Sequence, residues 1–537
     1  MSEGFKTTLE CLAATQNDAA VRVLVPALDS PHRSIRLFAL TSLVKRRSPI
    51  GHREVLRRLH TLDDSFKDRV ANAQGRINQA LRDALLGSDH QLAANACQAA
   101  LWFREYDLIP SLIAVLENPT GKMTPLAGRT LLELTELLYS ELATPRADGR
   151  RRDPQILRHR VVAGLEQSVA RFTRHKRRQI VEAFLLLVNR DNVTLKQILS
   201  EPRHAAFVVL VDALANSPAG GVMRLLLNFL DDPHAPSVTI SVVSRRMDLK
   251  FVHHLLNKIE QEVTAVVRQN LKRITTIAWL QGDLALVDQL DPQQQRAAVR
   301  LAMTSGLPKP QALPLIAHLL RCGRGDGCRA AAEALDEFQG AEGNRRAMEA
   351  LNHEDPQVQA IIVPQIRRRG IPGALPRLVE MIDSPHAVVR QAVRQCLSEF
   401  SFKRFLAAFD MLDDEVRRST GMLVNKIDPQ TVPMLETEMA SHVHVRRLRA
   451  LSIARVIGAA PQLEESIFRL LGDEDHLVRA EAAAALSQSQ TPASREALER
   501  ALQDRSPIVQ EAARKSLDAR LASQKDKPGD EVLGFRS

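Results

Sequence analysis

The sequence predicts an all-α fold, an α-solenoid built from stacked antiparallel helix pairs, and three observations predict it. A helix-sized apolar pattern returns about every thirty residues. Its copies begin at Val358, Val389, Val416, Val445, Val478 and Val509, at spacings of 31, 27, 29, 33 and 31, with an earlier copy at Ile35. Capping residues recur directly before proline between the helical stretches. Aromatics make up only 4% of the 537 residues, and the apolar load falls on Leu, Ala, Val and Ile, which form helices and pack closely. A repeat of this length marks units that bury their apolar faces against one another. A chain this long exceeds one compact core but suits a stack that grows along its axis.

The copy at Val389 shows how one unit works. A helix over Leu375–Met381 leads into Ile382-Asp383-Ser384-Pro385-His386-Ala387, and a second helix follows. There Val389, Ala392, Val393, Cys396 and Leu397 fall at offsets 0, 3, 4, 7 and 8, which line one helix face. At offset 8 all seven copies carry an aliphatic residue: Leu43, Ile366, Leu397, Val424, Ile453, Leu486 and Leu517.

The turn is marked as well. Ser30-Pro31, Asp232-Pro233, Asp355-Pro356, Ser384-Pro385 and Ser506-Pro507 place an oxygen-bearing side chain before proline. Such an oxygen accepts from an unpaired N–H of the first helical turn, stabilising it by about 0.5–2 kcal/mol. Proline at the next position has no N–H to leave unpaired, and its φ suits a helix.

Units such as Leu378–Leu397 (LVEMIDSPHAVVRQAVRQCL) and Leu470–Ser487 (LLGDEDHLVRAEAAAALS), each with an Asp in the turn and a Val-Arg pair opening the second helix, resemble the HEAT repeat family. The resemblance includes the family's shorter bacterial variants. It is strong over 311–522, good over 18–120 and faint over 158–310. It implies a superhelix of paired helices used as a binding scaffold, and says little about activity because unrelated functions share the architecture.

The expected organisation follows. Residues 1–17 lead in, 18–140 form an N-terminal array, and 141–157 form a basic loop or linker. Residues 158–310 hold degenerate helical repeats, 311–522 a regular C-terminal array, and 523–537 a frayed tail. The five cysteines are too few and too scattered for a disulfide framework. The N-terminal residues lack a leader pattern and no apolar run reaches membrane-spanning length, so a cytoplasmic location is expected.

Net charge is +10, and between Arg146 and Arg178 eleven Lys or Arg face three acids. Arg150, Arg151 and Arg152 lie in the loop, Arg158 and Arg160 open the next helix, and Arg171, Arg174, Lys176, Arg177 and Arg178 crowd the following junction. These ten residues are the candidate binding patch. Clustered cations raise the local potential by several kT, which suits an acidic protein surface or phosphate. A solvated face with no dedicated partner is the alternative. Phe172 is the lone aromatic of the segment, which argues against base stacking.

The Asp–Arg pairs of the repeats (Asp29 with Arg36, Asp383 with Arg390, Asp473 or Asp475 with Arg479) recur at fixed offsets and read as structural. The Asp caps a turn, and the Arg reaches toward the neighbouring unit's turn.

Cys322 and Cys328 flank a glycine-rich turn at a spacing that matches neither a C-x-x-C pair nor common zinc sites. No phosphate-binding loop or nucleophile motif is present. Three enzyme classes share the architecture. Deoxyhypusine hydroxylases carry several His-Glu pairs, of which only His353-Glu354 is matched. Phycobilin lyases share the repeat alone, and alkylpurine glycosylases need a groove with aromatics, whereas Trp102 and Trp279 are far apart in sequence. The sequence therefore predicts no catalytic, cofactor or metal residues. It predicts a non-enzymatic scaffold that binds a protein partner along an extended face, with nucleic-acid binding through 146–178 as the alternative.

Overall fold

The computed structural model describes residues 3–525 apart from 47, 62–74, 76, 119–122, 144–152 and 262. Every regular element among the described residues is a helix. The chain divides into two compact units, residues 1–327 and 328–537. Each is a stack of helix pairs.

In the first unit, His90–Phe103, Thr124–Ala143, Arg178–Leu187, Phe207–Asn216 and Ser237–Arg245 lie side by side in that order. Each is paired with a neighbour in sequence such as Ile109–Glu117 or Pro154–Ala170. Leu131, Leu134, Leu165, Ile180, Phe184, Leu210 and Leu226 are wholly buried between them. Where the repeat signature fades, the helices shorten to Ala265–Leu271 and Ala285–Asp288. Leu284 adopts a left-handed conformation there, with φ 59°.

In the second unit the second helices of the pairs are Pro356–Arg369, Ala387–Cys396, Asp414–Ile427, His444–Val456, His476–Ala485 and Pro507–Lys525. Leu43, Ile366, Leu397, Val424, Ile453 and Leu486 are buried as the offset pattern requires, and Leu517 is half-buried. Fully burying a side chain of this size stabilises by about 1.5–3 kcal/mol, so the stripe supplies a large share of each repeat's cohesion.

Two copies depart from the expected register. Val445 is exposed because the cap of its helix is Val443, which places Arg447, not Arg446, at the fourth helical position. The buried stripe there keeps Ile453 at offset 8 but takes in Ala450 and Ala454, one residue later than the Val-Arg marker places offsets 4 and 8. Val416 is exposed as well. Phe402, Phe405 and Phe409 fill the core beside its helix, and the turned-in face carries Gly421, Val424 and Ile427.

The caps also differ in detail. Asp355 caps as expected, accepting from the Gln357 N–H at 2.9 Å with Pro356 at the first helical position. At Ser30, Asp232 and Ser384 the oxygen accepts from the N–H two residues on, at 3.3, 2.9 and 3.3 Å. The helix starts only after that turn, so in these three units proline belongs to the turn rather than the helix.

A regular tether closes each turn. Arg36, Arg390, Arg447 and Arg479, at the fourth position of their helices, fold back and donate to the carbonyls of Ser30, Ser384, Ser441 and Asp473 at 2.7–3.2 Å. Gln359 and Gln510 do the same to His353 and Asp504, and Arg417 donates to the Leu412 carbonyl. These carbonyls precede the helix and have no helical partner, so each bond contributes about 0.5–1.5 kcal/mol net.

The expected Asp–Arg pairing changes accordingly. Arg36 and Arg390 are held by carbonyls, while Asp29 pairs with Arg58 at 2.8 Å and Asp383 with Lys426. Asp473 pairs with Arg447 at 2.7 Å and Arg479 with Asp504 at 2.9 Å. The arginine thus bonds its own turn with one nitrogen and the next turn's carboxylate with the others. In the Arg447–Asp473 and Arg479–Asp504 pairs the partners lie 26 and 25 residues apart, in successive units.

Candidate interaction surface

The basic segment is partly a joint between helices. Glu117, at the end of Ile109–Glu117, accepts from Ser168 Oγ at 2.6 Å and from Arg171 at 2.8 Å. Burial alone would raise its pKa, but those hydrogen bonds and the charges of Arg171 and His175 outweigh this and hold the carboxyl below the usual value. His175 is buried, with Nε2 3.0 Å from the Ser168 carbonyl and Nδ1 accepting from the Arg177 N–H at 3.0 Å. Phe172 meets its ring edge-on at 5.6 Å. Arg177 donates from Nε to the Leu116 carbonyl at 3.0 Å. The short helix Phe172–His175 and the left-handed Lys176, φ 54°, therefore lock three helices together.

Other cations of the segment are tied as well. Arg158 donates to the Leu187 carbonyl at 2.7 Å and to Asn189. Its burial, and then the neighbouring charge of Arg224, lower its pKa. Arg160 reaches Asp107 at 3.4 Å. Arg178 pairs with Glu182 at 2.6 Å and with Asp212, which raises its pKa, Glu182 contributing most.

Of the seven described cations in the candidate patch, five are thus held by acids, carbonyls or an amide. Arg174 and Lys176 are exposed and make no ion pair among the described residues. Arg150, Arg151 and Arg152 lie outside the described residues. The acids Asp107, Glu117 and Asp212 stand outside the 146–178 window in sequence, which is why a local charge count overstates the free charge.

The wider charge distribution is uneven. Residues 1–327 hold 44 Lys and Arg against 32 Asp and Glu, whereas residues 328–537 hold 29 against 31. The whole positive excess therefore belongs to the first unit.

No group of three or more His, Cys, Asp or Glu among the described residues is placed to hold a metal ion. No described helix is long and apolar enough to cross a membrane. Cys322 is exposed at the end of Lys309–Cys322, and Cys328 is buried just after the turn, its thiol pKa raised by burial.

Stacked helix pairs with a shared apolar seam define an α-solenoid. Residues 312–398 and 429–518 match the family model for HEAT repeats, so these two stretches are HEAT repeats. None of the curated proteins matches the sequence. Among solved structures, one on the interaction between cadherin and beta-catenin is 13% identical, aligning 94% of this chain and 99% of that chain with a TM-score of 0.32. A model of the full-length AP-3 complex is 13% identical over 96% and 98%, TM-score 0.31. The structure of Kap121p bound to Ste12p is 12% identical over 98% and 69%, TM-score 0.25. Scores this low carry no argument about function.

Proposed function

We propose that the chain is a non-enzymatic adaptor of the cytoplasm that binds an acidic protein partner along the outer surface of its helix stack. The observation that supports this reading most is the division of labour among side chains. The repeat stripe is buried between helices, the turn cations are tethered, and what remains for a partner is the surface of a strongly basic first unit. Arg174 and Lys176, with Arg150, Arg151 and Arg152 a short distance away in sequence, are the proposed contact group. Nucleic acid is the weaker reading, because five of the candidate cations already have partners and counterion release scales with the number of phosphates a protein neutralises.

The test is affinity purification of the native chain beside a variant in which Arg150, Arg151, Arg152, Arg174 and Lys176 are changed to Glu. The expected result is a co-purifying acidic protein that the variant retains at least tenfold less well. Retention unchanged in the variant would remove the patch from the proposal. Tight duplex binding whose affinity falls steeply with salt would favour nucleic acid instead.

A further inference from the structure

One histidine closes the joint that presents the candidate contact group, and its bonds fit a single protonation state of the ring. His175 is buried, at 6% exposure. Its Nδ1 accepts from the Arg177 N–H, so the ring proton resides on Nε2, which donates to the Ser168 carbonyl; both bonds are 3.0 Å long. Backbone bonds from Arg174 to Arg171 and from Lys176 to Phe172, at 2.9 and 2.8 Å, complete the short helical turn. Arg177, held by the ring through its N–H, carries the side chain that reaches the Leu116 carbonyl. Several turns of the chain make the same bond, from an N–H to the side chain two residues earlier, with an oxygen: Ser217, Asp232, Ser384 and Asp473 do so. Such oxygens remain acceptors throughout pH 5–8, whereas protonation turns an imidazole Nδ1 from acceptor to donor. His204 and His353 make the bond too, but they are only half-buried, and water can replace what they lose. At His175 a proton on Nδ1 would face the Arg177 N–H in a site closed to water, leaving two donors without an acceptor.

The surrounding charges act in the same direction. Ile109–Glu117 contributes one titratable group, Glu117, whose Oε1 is already taken by Ser168 and Arg171. Arg171, Arg174, Lys176 and Arg177 adjoin the ring along the chain. The flanking helices turn their charges elsewhere: Arg158 to the Leu187 carbonyl, Arg160 to Asp107 and Glu166 to Asn192, Arg178 to Glu182 and Asp212. His159 is exposed. Four cations against one acid disfavour another positive charge at this spot. A form of the joint in which the ring meets water therefore binds one more proton than the closed form, and linkage raises its population by up to about tenfold for each pH unit lost. We propose that His175 is an acid-released latch: neutral, it closes the turn that carries Arg174 and Lys176, and protonated, it lets that turn open. The latch is a property of the chain alone and goes beyond the adaptor reading, since it operates whether or not a partner uses those two cations.

The experiment measures amide hydrogen exchange of the full chain at pH 7.5 and 5.5, corrected for the intrinsic effect of pH on the exchange chemistry. The native chain is compared with His175→Asn, because asparagine supplies an oxygen that accepts from the N–H two residues on and does not titrate. In the native chain, exchange over residues 168–180 should quicken at least fivefold at pH 5.5, while the turns at Ser217 and Asp232 keep their rates. In the variant the same segment should exchange alike at both pH values. A native segment that does not respond to pH would overturn the latch, as would an equal response in His175→Asn. Quickening shared by the Ser217 and Asp232 turns would also overturn it, since acid then loosens the whole stack. Should the variant not fold, the contrast within the native chain between the histidine turn and those two turns decides the matter.

Discussion

The arginine at the fourth helical position does two jobs with one planar group, and the pair Arg479–Asp504 shows it best. Both side chains are largely buried, at 5 and 15% exposure. The hydrogen bonds from Arg479 come first among the causes that hold the Asp504 pKa below its ordinary value, outweighing burial. Asp473 is lowered too: burial pushes it up, but Arg447 and the Asp475 N–H more than compensate. With folded values below unfolded ones, these carboxyls stabilise the fold at pH above about 4. That contribution disappears as the pH falls through the lowered values. Asp504→Asn should therefore lower stability at pH 7 by on the order of 1–3 kcal/mol, with the difference from the native chain shrinking at pH 3; thermal unfolding at both pH values checks it. The recurring Asp and Arg were legible in the sequence. That the Arg reaches the neighbouring unit's turn was legible too, and Arg447 and Arg479 do so; the particular carboxylate was not, because it lies 25 or 26 residues away, beyond the reach of a local offset.

At the scale of helices, the same limit explains the two register errors. A Val-Arg dipeptide looks equivalent at 445 and 478, but the cap that sets register at 443 is a valine with no side chain able to accept a bond. At Asp414–Ile427 the sequence shows a valine at the right spacing, while three phenylalanines from Phe402–Ala408 and the turn after it decide which face turns inward. Gly421 is the residue that permits this packing. A methyl there would stand 2.5 Å from Ile457 Cγ2 and 2.9 Å from Phe405 Cζ. Gly421→Ala should destabilise by about 1–3 kcal/mol through overpacking, despite the higher helix propensity of alanine. A denaturant titration showing equal or greater stability would contradict that packing account. The basic junction teaches the parallel lesson for the candidate surface: clustering of charge was visible, while the acids that neutralise it come from other helices.

Across the whole molecule, each hairpin meets mainly its neighbours, so a local lesion should stay local. Ile366 lies wholly buried in the second unit. Ile366→Ala should cost about 2–5 kcal/mol of local stability. Amide hydrogen exchange should quicken over residues 328–525 and remain unchanged over 3–327. Exchange that quickens equally in both would show the units to be one cooperative body. The repeat period made the stacking legible from the sequence. The division at 327/328 was not legible, because it falls within the helix Asp326–Ala334, where composition gives no sign of a boundary.

The turn tether has a consequence for how such a chain can change length. Each fourth-position donor bonds a carbonyl only five or six residues behind it, so the bend of a hairpin is complete within its own few residues. Loss or duplication of an entire hairpin leaves every bend intact and asks only that one carboxylate meet a different guanidinium at the new junction. A cut placed midway through a hairpin separates donor from carbonyl and strands both. The chain can therefore lengthen or shorten in whole modules far more readily than by single residues.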